Sequence, residues 1–75
     1  MEWIKKVEEK IRNKEKISLI WFIEELEIII EPYKEDSVVF FTKHATFGFG
    51  ENEIISIDSA LKELKQYEKP DMGIE

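Results

Sequence analysis

The chain has no cysteine, one histidine, two prolines and three glycines among its 75 residues. Without cysteine there is neither a disulfide framework nor a thiolate metal site, and a reducing compartment is expected. A lone histidine, His44, excludes the histidine pairs of transition-metal sites. No apolar run exceeds the stretch Leu19–Ile23, far short of the ~20 residues that span a bilayer. The start, Met1-Glu2-Trp3-Ile4-Lys5-Lys6, lacks the basic-then-apolar order of a signal peptide, so a cytoplasmic location away from membranes is expected. Length is scarce too: one domain is possible, burying about 60% of its unfolded surface. A cofactor-binding βαβαβ unit with a catalytic domain beside it does not fit.

What is present is an excess of branched apolar side chains and acid. Hydrophobic residues make up 43% of the chain and include twelve isoleucines, with 17 Asp and Glu against 11 Lys and Arg and a net charge of −6. The charge is uneven. Residues 1–16 carry six basic and four acidic side chains, whereas residues 17–36 carry one basic and six acidic.

Trp3, Ile4, Val7 and Ile11 recur at helical spacing, so residues 2 to 12 read as an amphipathic helix, supported by Glu8 and Arg12 at i, i+4. Residues 17–23 are apolar on nearly every face. A buried helix to about Glu25 followed by a strand from Leu26 to Tyr33 is expected, with one long strand from Ile17, bulged at Glu24-Glu25, as the alternative. Val38–Thr42 reads as a strand covered on both faces. Thr46–Gly50 and Glu53–Ile57 read as further strands around a Glu51-Asn52 turn. Asp58 is expected to cap a last helix with the stripe Ala60, Leu61, Leu64 and Tyr67. The result is an α+β two-layer sandwich: a small antiparallel sheet of three to four strands, with an N-terminal helix (or two) and a C-terminal helix packed on it. Residues 1–69 are expected to form this single domain and 70–75 a flexible C-terminal tail.

Little in the chain reads as chemistry. His44 has no nucleophile motif beside it, and the carboxylates match no calcium loop, so no catalytic, cofactor or metal site is expected and the protein reads as a non-enzyme. Alternating Phe47-Gly48-Phe49-Gly50 resembles the base-stacking strand of single-stranded nucleic-acid binders. Its acidic followers Glu51 and Glu53 and the net charge oppose a polyanion, so nucleic acid ranks last among partners. The acidic segment offers a protein-binding patch (Glu24, Glu25, Glu27, Glu31, Glu35, Asp36), with Trp21 as aromatic anchor. The expectation is a small acidic protein–protein interaction module. It would be a regulator or inhibitor of the kind mobile elements and phages carry, occluding a basic surface of its partner. A self-associating structural or housekeeping subunit is the alternative, because Trp3, Trp21, Phe22, Phe40 and Phe41 exceed what one small sandwich readily shields.

Overall fold

The computed structural model describes residues 2–44 and 49–74. Trp3, Ile4, Val7 and Ile11 fall on one stripe of α1 (Glu2–Arg12), and all four are buried. The helix ends without glycine. Lys14 N–H donates to Ile11 C=O and Glu15 N–H to Lys10 C=O, with Lys14 left-handed at φ +63°. These are the paired bonds of a Schellman cap, which places Lys14 where glycine is the usual residue.

Four strands follow without interruption by a helix: β1 (Ile17–Trp21), β2 (Leu26–Pro32), β3 (Ser37–His44) and β4 (Phe49–Ser56), before α2 (Ile57–Leu64). Each pairs antiparallel with the next, giving the spatial order β1-β2-β3-β4. Because side chains alternate across a pleated strand, one face collects Ile17, Leu19 and Trp21 of β1, Leu26, Ile28 and Ile30 of β2, and Val38 and Phe40 of β3. All eight are buried. Over this face α1 packs on β1 and β2, and α2 packs on β3 and β4. The layer arrangement is the expected α+β sandwich.

Residues 17–25 correct the expected helix. They form β1 and then a turn in which Glu25 N–H donates to Phe22 C=O. Glu25 adopts φ +53°, so a charged side chain occupies the left-handed position that turns reserve for Gly or Asn. The alternative of one strand running on through a bulge also fails, because the chain reverses at the Glu pair. Nor is β3 covered on both faces: Val38 and Phe40 are buried, whereas Val39 and Phe41 are half-buried on the side away from the helices. Glu51 and Asn52 do not turn. They pair with Thr42 and Phe41 inside one continuous β4. Of the expected strand 46–50, residues 46–48 lie outside the described residues.

The last helix starts two residues earlier than expected. Ser56, not Asp58, is the N-cap, its Oγ accepting from Ser59 N–H at 3.0 Å. Asp58 sits in the first turn instead, where a carboxylate suits the helix dipole. Ala60, Leu61 and Leu64 are buried as the stripe requires, and Tyr67 is half-buried beyond the helix end.

After α2 the chain runs along the outer edge of β1. Trp21 Nε1 donates to Glu68 C=O at 2.8 Å, Asp71 N–H to Ile20 C=O at 2.7 Å, and Ile20 N–H to Met72 C=O at 3.0 Å. Asp71 Oδ2 accepts from Phe22 N–H at 2.8 Å. Gly73 completes the contact at φ +109°, where an added Cβ would stand 2.0 Å from Ser18 O. No side chain fits at that position. Residues 70–74, expected beyond the domain as a tail, thus satisfy the edge of β1 that would otherwise invite strand pairing.

Two substitutions test these backbone features in opposite directions. Lys14→Gly relieves the left-handed cap and is expected to raise stability by about 1 kcal/mol. Gly73→Ala is expected to lower it by about 1–3 kcal/mol and to accelerate amide exchange at Ile20 and Phe22. Urea denaturation and amide exchange read both.

Candidate functional site

The face of the sheet turned away from the helices carries no covering element among the described residues. Its side chains come from the alternate positions of each strand, and they are not uniformly polar. Strand register sets Ile29 opposite Phe41 and Val39 opposite Ile54, with Ile20 on β1 opposite Glu27. Together Ile20, Ile29, Val39, Phe41 and Ile54 make an apolar band across all four strands. Four of them are half-buried, and Ile54 is 59% exposed. Phe41 leans over β4: a Cβ on Gly50 would lie 2.5 Å from its Cζ and 2.6 Å from Thr42 O. Gly50 therefore leaves room for the ring to lie on the strand, closing part of the gap a glycine opens in a sheet.

Charge borders this band on β2. Glu27 Oε2 accepts from Ser18 Oγ at 2.7 Å and stands opposite Lys43 in register. Glu31 meets Lys16 Nζ at 3.2 Å, with both side chains about half exposed. Such a pair contributes little to stability, so the carboxylate stays available to a better partner. At the hairpin end an open cleft of about 290 Å³ lies between Ile20, Phe22, Glu27 and Lys43. The turn beside it holds Ile23 at 93% exposure and Phe22 at 59%.

The residues expected to bind a partner are divided by this geometry. Glu27 and Glu31 lie on the open face. Glu24 and Glu25 are exposed in the β1–β2 turn, and Glu35 and Asp36 in the turn after β2. Seven strand residues separate the two turns, roughly 20 Å at ~3.3 Å per residue. The six carboxylates form a row along β2 and both its ends, not one compact patch. Trp21 is elsewhere: it is 2% exposed on the helix side, edge-on to Trp3 at 6.4 Å and tilted against Tyr67 at 5.2 Å. It is a core residue and offers a partner no surface. Trp3 and Phe40 are likewise buried, so of the five aromatics thought to exceed the core only Phe22 and Phe41 remain accessible.

His44 ends β3, exposed, in register with Leu26 and Phe49. Phe47 and the side chain of Phe49 lie outside the described residues. Among the described residues no three His, Asp or Glu side chains converge as a metal site, and no helix is long and apolar enough to cross a membrane. The apolar band itself was missed because isoleucine on both sides of a strand erases the period-two signal. The clue available was the pair of apolar phases in Leu26–Ile30 and Val38–Phe41.

Comparison of the chain with protein-family models, with curated proteins and with solved structures finds no match.

The placement of the two sides is tested by stability. Trp21→Ala is expected to cost about 3–5 kcal/mol and Ile54→Ser to change stability by no more than about 0.5 kcal/mol. A large loss at Ile54 in urea titrations would mean that this face is covered in solution.

Proposed function

We propose that the protein is a non-enzymatic interaction module that docks its open sheet face on a basic surface of a partner protein. The observation that carries this reading is the apolar band Ile20–Ile29–Phe41–Val39–Ile54 lying beside the carboxylates of Glu27 and Glu31 on the same uncovered face. A partly exposed apolar band with a charged rim has the anatomy of a protein contact: the band excludes water, and the rim steers and orients. The net charge of −6 and the concentration of acid in residues 17–36 favour a cationic partner over a polyanion. Regulation or inhibition by occlusion fits the size of the domain, whose principal extents of 33 × 25 × 18 Å are enough to cover a binding groove.

Affinity capture with the immobilised protein tests the reading. The native protein is expected to retain a basic protein that elutes with rising salt. The doubly reversed Glu27→Lys/Glu31→Lys protein, with unchanged circular dichroism, is expected to lose it by at least tenfold. Undiminished capture by the reversed protein contradicts the acidic-rim mechanism. A concentration-independent dimer in sedimentation that buries Ile54 would replace it with self-association.

A further inference from the structure

The sheet has two edges, and among the described residues only one is closed. On β1 the outward N–H and C=O of Ile20 and the outward N–H of Phe22 are taken by Asp71 and Met72, and Gly73 lies close against the outward C=O of Ser18. The other edge is β4, the last strand in the order β1-β2-β3-β4. Ile57 N–H donates to Asp36 C=O at 3.0 Å, next to the Ser37–Ser56 register pair. Antiparallel alternation from that bond turns the N–H and C=O of Glu51, Glu53 and Ile55 toward β3 and those of Gly50, Asn52 and Ile54 outward. Three consecutive outward donor–acceptor pairs form a template for another strand.

The side chains select what that strand is. Glu51 and Glu53 project on the helix side of β4, where Glu63 of α2 joins them around a cavity of about 180 Å³ floored by Phe40 and Thr42. All three carboxylates are on exposed residues. A second copy is a poor occupant. In the central antiparallel registers of β4 against itself, Glu51 or Glu53 stands directly opposite Glu51 or Glu53 of the other copy, which is destabilising. On the opposite side of the strand Gly50, Asn52 and Ile54 present a small, a polar and an apolar position.

We propose that the β4 edge binds an extended segment of a protein partner by strand addition, the segment carrying Lys or Arg at alternate positions that meet Glu51, Glu53 and Glu63. This rests on the reading of a basic protein partner above and adds where and how a segment of it is held. Backbone hydrogen bonds to residues 50, 52 and 54 supply sequence-independent affinity, and the cationic heads entering the acidic cavity supply selectivity and register.

The test uses a synthetic nine-residue peptide alternating Val and Lys, with a Val/Glu peptide of equal length as control. Backbone NMR with amide exchange follows both titrations. The Val/Lys peptide is expected to slow exchange at Gly50, Asn52 and Ile54 by tenfold or more, and the Val/Glu peptide to leave them unchanged. Asn52→Pro removes one outward donor without touching the ladder to β3, and is expected to weaken binding at least tenfold. Glu51→Lys/Glu53→Lys is expected to reverse the preference between the peptides, which keeps the test decisive should the proline variant misfold. Failure of the Val/Lys peptide to bind, binding with no protection at residues 50, 52 and 54, or binding undiminished in folded Asn52→Pro overturns the proposal. A natural partner lost on Glu27→Lys/Glu31→Lys but retained by Asn52→Pro would leave the function standing and remove only the β4 edge from it.

Discussion

The seam between the two helices and the inner rows of the sheet is the interaction on which the rest of this structure depends. Helices pack side by side at about 10 Å, and strands at about 4.8 Å, so two helices match the width of four strands. α1 takes β1 and β2, and α2 takes β3 and β4. With one helix at each end of the chain, both are spent on one face. Among the described residues no further helix lies between them to cross over, and the strands form a meander. A dry face under the helices and an uncovered one opposite are thus consequences of the same match.

Trp21 ties that core to the closing of the β1 edge. Its ring contacts Trp3 of α1 and Tyr67 after α2, while its indole N–H reaches Glu68 C=O. That bond starts the run in which Asp71 and Met72 take up the outward groups of Ile20 and Phe22. The tight approach of Gly73 to Ser18 O holds the segment against the strand. Among the described residues no comparable segment reaches β4, whose outer side carries the charges of Glu51 and Glu53 against self-pairing. The molecule is closed at one edge and open at the other, and the open edge adjoins the open face at Ile54.

The parts of this fold that were legible beforehand are those in which polar and apolar residues alternate with a clear period. The stripe Trp3, Ile4, Val7, Ile11 and the stripe Ala60, Leu61, Leu64 each have charged residues on the far side, and both helices stand where that pattern puts them. β1 was illegible because Ile20 faces the open side and is as apolar as its buried neighbours Leu19 and Trp21. The turn that follows, Phe22-Ile23-Glu24-Glu25, contains none of the residues that announce a reversal, and it is Glu25 that adopts the left-handed conformation. The same double-sided hydrophobicity concealed the candidate site. Acid in residues 17–36 was visible as composition, but its division between the face of β2 and the two distant turns depends on where the chain reverses. Trp21 reads as a surface anchor because the apparent surplus of aromatic residues does not reveal that Trp3, Trp21 and Phe40 share one core.

A sheet with one covered face, one closed edge and one open edge makes a specific statement about individual amides, and native-state hydrogen exchange of the free protein tests it most directly. Amides of Ile20 and Phe22, on the β1 edge, are expected to be protected through Met72 and Asp71. Those of Asn52 and Ile54, on the β4 edge, are expected to exchange at least a hundredfold faster, while the adjacent Glu53 and Ile55 stay protected by β3. Equal protection at Asn52 and Ile54 in the monomer, or fast exchange at Ile20, would contradict the account.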